Sequence, residues 1–295
     1  MVRHKNTVFL YSIGQMPSVH REAYCPIVVP VTRHSLPRFS PRPMDPIFLI
    51  AGAGAMVAGF VQGLSGFAFG MVSMSIWAWT IEPRLAAAMS VFGGLTGQIV
   101  AALSVRRGFD LRLLLPFLVG GLAGIPLGVW LLPHLDPQLF KAALGLLLAT
   151  WCPTMLMARN LPRITVGGRF ADGLAGAVGG VMGGLGGFTG AVPTLWCTLR
   201  GFDKDVQRAI IQNFNLGMLL VTMGTYAATG MITHDMLPMF AVVGPAMLIP
   251  TLIGTRLYLG ITEATFRKLV LGLLTVSGVA LLASSLPRLI ARWAL

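Results

Sequence analysis

Charge is scarce in this sequence. Asp, Glu, Lys and Arg make up 11% of its 295 residues, and mean hydropathy is +0.76. Soluble domains carry roughly 25% charged residues, and helices that are apolar all round need either a very large core or lipid. Cysteine is also rare. Cys25, Cys152 and Cys197 are odd in number and far apart, which excludes an internal disulfide framework; they read as small apolar packing residues. No histidine lies well inside an apolar stretch, which removes the usual base for a buried nucleophile. The 22 basic residues outnumber the 10 acidic ones. In a soluble protein that imbalance would suggest nucleic acid. Here the basic residues fall mostly between apolar stretches, so attraction to anionic lipid and control of topology account for them instead.

What the sequence does have is long runs without charge: residues 47–81, 85–105, 113–135, 142–158, 173–199, 209–233, 236–255 and 269–287. A hydrocarbon core takes roughly 20 helical residues to cross, and all but the marginal 142–158 reach that length or nearly so. The expected fold class is an all-α polytopic membrane protein of about eight transmembrane helices. The run 47–81 would measure about 50 Å as one helix, too long for one untilted span, so it is expected to break or turn back near 63–70. Residues 1–45 carry Arg3, Lys5, Arg21, Arg33, Arg38 and Arg42 and end in SLPRFSPRPMDP. They read as a disordered cytoplasmic extension, with Met44 as an alternative start.

One stretch occurs twice. Residues 59–79 read GFVQGLSGFAFGMVSMSIWAW and residues 176–196 read GAVGGVMGGLGGFTGAVPTLW. In one frame, Gly59, Gly63, Gly66 and Gly70 fall on Gly176, Gly180, Gly183 and Gly187, and Trp79 falls on Trp196. Residues 108–116, GFDLRLLLP, match 230–238, GMITHDMLP, and Phe140-Lys141 matches Phe266-Arg267. The expected organisation is two homologous four-span halves with glycine-rich broken first helices, at 46–158 and 171–287. A polar linker at 159–170 joins them and a tail follows at 288–295. Repeats with glycine-broken segments at matching positions are a pattern of secondary transporters, where substrate sits at the interface of the halves.

The residues GLSGFAFG at 63–70, GGLGG at 183–187 and QRAIIQNF at 207–214 resemble the TauE/SafE family of sulfite exporters and anion permeases over nearly all of 46–286. The resemblance implies that family's membrane fold and a transport role, with a sulfur-containing anion such as sulfite or a sulfonate as the expected substrate. The protein would not be an enzyme. The family's G-x-G-G-G is eroded in the first element, where Phe67, Ala68 and Phe69 stand.

The residues themselves say what such a site offers. With no fixed charge in any window, no buried carboxylate is expected to hold a cation or relay protons. Hydrogen-bonding groups cluster at the glycine elements instead: Gln62, Ser65, Ser90, Thr189, Gln212, Asn213 and Asn215, with Gln98 nearby. Gly66, Gly70, Gly186 and Gly187 add backbone amides and positive helix ends that suit a small oxyanion. Arg208 and Arg256 stand at span ends as anion-attracting charges or as snorkelling interface residues. The expected partners are a small anion, the bilayer and a coupling ion, proton or sodium; no cofactor, metal or nucleic acid is called for. With eight crossings, the Lys/Arg distribution puts both termini on the cytoplasmic side of the plasma (inner) membrane. Two other functions fit parts of the pattern. Glycine faces also serve a non-transporting scaffold, and Gly63-Leu64-Ser65-Gly66 matches the G-x-S-G of intramembrane serine proteases. The repeat speaks against the protease, because Met182 replaces Ser65 in the second copy.

Overall fold

Proline and glycine punctuate the helices. The computed structural model describes residues 46–66, 68–104, 108, 110–157, 164, 167–256 and 263–293; the expected N-terminal extension and most of the linker lie outside them. Its α-helices are α1 (Pro46–Ser65), α2 (Phe69–Trp77), α3 (Pro83–Ser104), α4 (Leu111–Leu131), α5 (Pro137–Met157), α6 (Gly168–Gly186), α7 (Ala191–Leu199), α8 (Lys204–Ala228), α9 (Leu237–Arg256) and α10 (Glu263–Trp293). Proline opens α1, α3 and α5, where its missing N–H costs nothing and its fixed φ suits the first turn. Asp110 caps α4 by accepting from the amides of Arg112 and Leu113. Four helices stop at a glycine with positive φ within two residues of their ends: Gly66, Gly187, Gly201 and Gly230, the left-handed geometry that commonly ends a helix.

Six segments are long and apolar enough to cross a membrane: 46–65, 83–103, 111–134, 137–157, 234–255 and 268–287. The expected eight are therefore not all met among the described residues. The apolar run 173–199 is divided between α6 and α7, and α8 opens on Lys204, Asp205 and Arg208. The helix at the C-terminus runs on to Trp293, through what read as a tail.

The run 47–81 breaks where expected. α1 ends at Ser65, Gly66 turns with φ 84°, and α2 resumes at Phe69. α2 folds back along α1, since Trp77 Nε1 donates to the Ile50 carbonyl at 3.3 Å. α6 and α7 form a second hairpin around Gly187 (φ 77°), with Trp196 Nε1 donating to Asp172 Oδ1 at 2.7 Å. The turns thus pair Gly66 with Gly187. The sequence frame paired Gly66 with Gly183, one helical turn short. Glycines spaced by four fill both frames, and only the turn geometry selects between them.

Glycine also builds the long seams. A Cβ on Gly120, Gly124 or Gly128 of α4 would meet the backbone of Gly173, Ala177 or Val181 of α6. Likewise Gly59 and Gly63 of α1 abut the backbone of Met247 and Thr251 of α9. In both seams the numbers rise together, so the paired helices run parallel. Lipid supplies no hydrophobic drive between helices, and small residues that let backbones touch replace it. Hydroxyls add to these contacts: Thr251 Oγ1 donates to the Gly59 carbonyl across the α1–α9 seam at 3.0 Å, and Tyr226 Oη of α8 donates to the Gly184 carbonyl of α6 at 2.7 Å. At the centre stands α3, whose residues Ala86 to Val91 have no exposed surface.

Candidate functional site

The two hairpins meet beside α3 and α8. Gly70, at the start of α2, lies against the turn of the other hairpin, so that a Cβ there would sit 2.8 Å from the Gly187 carbonyl oxygen. Gln62 holds the first turn from inside: its Oε1 accepts from the Phe69 amide at 3.0 Å, and its Nε2 donates to the Gly94 carbonyl of α3 at 3.2 Å. Gln98 Nε2 donates to the Gly66 carbonyl at 2.6 Å. Ser90 Oγ donates to the Gly186 carbonyl at 2.8 Å, reaching the second turn from the same helix. From the turn between α6 and α7, Thr189 Oγ1 donates to Asn215 Oδ1 of α8 at 2.9 Å, and a Cβ on Gly66 would sit 3.4 Å from Gln212 Nε2, also on α8. Gln62, Ser90, Gln98, Thr189, Gln212 and Asn215 are all buried.

The sequence singled out these residues, and the fold brings most of them to one place. Two are placed elsewhere. Ser65 is exposed and its hydroxyl turns back onto the Val61 carbonyl at 2.7 Å, the ordinary back-bond of a helical serine. Asn213 shares no face with Gln212 and Asn215; its Nδ2 donates to the Gly108 carbonyl at 3.1 Å. It lines a cavity of about 220 Å³ with Asp110 and Asp205, whose carboxylates make that opening a poor anion funnel. Arg208 is exposed at the start of the second turn of α8, and Arg256 ends α9. His134 and His234 sit in short 3₁₀ turns, and His134 Nδ1 lies 2.7 Å from the Trp130 carbonyl.

α2 and α7 present their N-termini to the meeting point. Neither Ala68 nor Gly190, their N-cap residues, makes a side-chain cap; the first amides are held instead by Gln62 Oε1, for Phe69, and by the Phe188 carbonyl, for Ala191, and both helices keep the partial positive charge of their N-terminal ends.

One buried group was missed. Asp172 is 3% exposed, accepts from Trp196 Nε1 and pairs with Arg200 at 3.5 Å. This corrects the expectation of no buried carboxylate. Asp172 and Arg200 flank the charge-free run 173–199 on either side, and only the fold-back of α7 brings them together. Their opposite signs at the two ends of a glycine-broken apolar run were the available signal.

A bundle of long apolar helices around two broken hairpins has the architecture of an integral membrane transporter. The family model described as Sulfite exporter TauE/SafE matches residues 51–281, and the chain belongs to that family, one of transporters rather than enzymes. Neither a curated protein nor a solved structure matches the chain.

Proposed function

We propose that this protein is a secondary transporter that moves a small sulfur oxyanion, sulfite or a sulfonate, through the meeting point of the two hairpins. The observation that carries this reading is the convergence of two helix N-termini, α2 and α7, at Gly70 and Gly187, walled by neutral amides and hydroxyls. Partial positive charge without a fixed cation favours an anion that must also leave. Gln62, Gly66, Gly70, Ser90, Gly186, Gly187, Thr189, Gln212 and Asn215 form the proposed pathway.

The helix order supports a repeat. A long helix, a nine-residue return helix and three long helices occur twice in succession. The seams exchange partners between the halves: α4 of the first holds α6 of the second, and α9 of the second holds α1 of the first. On this reading each half contributes one re-entrant hairpin and three crossings, and an odd number of crossings inverts the second half.

Re-entrant hairpins regroup the charges. Arg112, Arg169, Arg200, Lys204, Arg208, Arg256, Arg267 and Lys268 then share one face, and the connections out of α3 and α5 add Arg106, Arg107, Arg159 and Arg163. The other face has Arg84, Lys141, Arg288 and Arg292 besides the extension. The positive-inside rule then favours termini on the outer face, the reverse of the orientation read with eight crossings. Labelling of single cysteines at Asp203 and Thr233 with an impermeant maleimide in intact cells tests this. Labelling at Thr233 alone supports the reversed orientation, and labelling at Asp203 alone restores the first.

The direct test of transport is efflux of labelled sulfite and of a short sulfonate from proteoliposomes under imposed ion gradients. Absence of flux for every anion tested would return the glycine elements to a scaffold role, which the backbone seams at Gly59, Gly63, Gly124 and Gly128 already serve.

A further inference from the structure

The outer surface of the α4–α6 seam holds a groove of about 730 Å³. Its mouth is formed by Arg112 and Arg169, the second residue of each helix. Both are exposed, and the ion pair found among the described residues, Arg200–Asp172, involves neither. Asp110 beside them is committed to the amides that open α4. Below the arginines the walls are apolar and face outward: Leu115, Val119, Phe170 and Leu174 are 51%, 60%, 78% and 53% exposed. The floor is backbone, because Gly120 rests on Gly173.

Two guanidinium groups at the ends of membrane helices, above an open apolar trough, match one ligand chemistry. A phosphodiester accepts bidentate hydrogen bonds from arginine, and an acyl chain fills a trough that water cannot use. Basic pockets between membrane helices bind anionic headgroups in this way. The other parallel seam shows that the fold does not require these charges. Where α4 and α6 have Arg112 and Arg169, α1 and α9 have Ile47 and Pro238.

We propose that the α4–α6 groove is a binding site for an anionic phospholipid, its headgroup on Arg112 and Arg169 and one acyl chain along Leu115, Val119 and Leu174. The site stands apart from the transport pathway and does not depend on it. Native mass spectrometry of the full-length protein in mild detergent, titrated with phosphatidylglycerol or phosphatidylcholine, tests it. The expected result is tight retention of phosphatidylglycerol and weak retention of phosphatidylcholine. The pair Arg112→Gln/Arg169→Gln should weaken phosphatidylglycerol binding about 30-fold, at about fivefold per arginine near a membrane surface. Arg84→Gln/Lys141→Gln, at the starts of α3 and α5 and outside the groove, should leave it unchanged. Leu174→Trp, which fills the trough without touching charge, should weaken it as well and keeps the test open if the arginine variant misfolds. Equal retention of the two lipids would overturn the proposal, as would phosphatidylglycerol binding indifferent to both groove variants. Displacement of the lipid by inorganic phosphate would show an anion site only, and a dimer mass in place of the lipid adduct would show that a second copy covers the groove.

Discussion

The two hairpins share a shape but are closed differently. In the first, Trp77 at the end of α2 donates to a backbone carbonyl, that of Ile50, and no charge is involved. In the second, Trp196 and Arg200 both turn to the buried carboxylate of Asp172. A neutral hydrogen bond contributes about 0.5–1.5 kcal/mol and one to a charged group about 1.5–3 kcal/mol. The second hairpin is therefore the more firmly latched, and at its latch sits the ion pair of the described residues, buried Asp172 with partly exposed Arg200. The comparison teaches that matched backbone geometry does not imply matched energetics: α2 is the easier arm to move.

The largest effect should come from a residue both hairpins share. Gly187 has φ 77°, which β-branched side chains do not tolerate, and it packs on Ser90 and Gly70. As a hypothesis, Gly187→Val inserts into the membrane but loses flux, measured as anion efflux per inserted protein. Wild-type flux would show that the turn is packing alone. Next comes the latch. Asp172→Ala should destabilise by about 1.5–3 kcal/mol, seen as a lowered unfolding midpoint in detergent, and Asp172→Asn by less because it still accepts from Trp196. If the two variants behave alike, the charge contributes nothing and the comparison fails. Trp77→Phe, the matching change in the first hairpin, should cost about 0.5–1.5 kcal/mol; a cost equal to that of Asp172→Ala would erase the difference between the arms.

Smallest of all are two controls. Gly272 has open space around its would-be Cβ, so Gly272→Ala should leave flux unchanged and stabilise α10 by up to about 1 kcal/mol. Ser65→Ala removes a hydroxyl bonded to its own helix and should change neither flux nor stability measurably. Loss of flux in that variant would reinstate Ser65 in the pathway.

Much of this was legible from composition. Charge-free runs mark where helices lie because an unpaired charge in lipid is expensive, and prolines and glycines fix their ends to within a few residues. The break in 47–81 followed from length. What the sequence left hidden were the consequences of folding back. Nothing in the spacing says that Trp196 returns to Asp172, so 173–199 reads as one crossing, whereas α6, α7 and the charged start of α8 fall outside the six segments long and apolar enough to cross. Asp172 was overlooked because it lies one residue outside an apolar run, and its partner enters only through the α7 return. At the site, hydrogen-bonding residue types could be recognised, but helix phase separated Gln212 and Asn215 from Asn213.

The exchanged seams bear on how the molecule can move. Two halves that rock as rigid blocks must slide along a surface, yet on the two-half reading proposed above each block grips a helix of the other through the α4–α6 and α1–α9 backbone contacts. Such interlocked clasps leave little slack. Alternating access, as a hypothesis, then falls to the nine-residue α2 and α7, light levers hinged at Gly66 and Gly187, while α4–α6 and α1–α9 stay fixed as struts. Spin labels at Leu115 and Leu174 should hold one distance through the transport cycle, and labels on the levers should not. A changing strut distance would put the motion back between the halves.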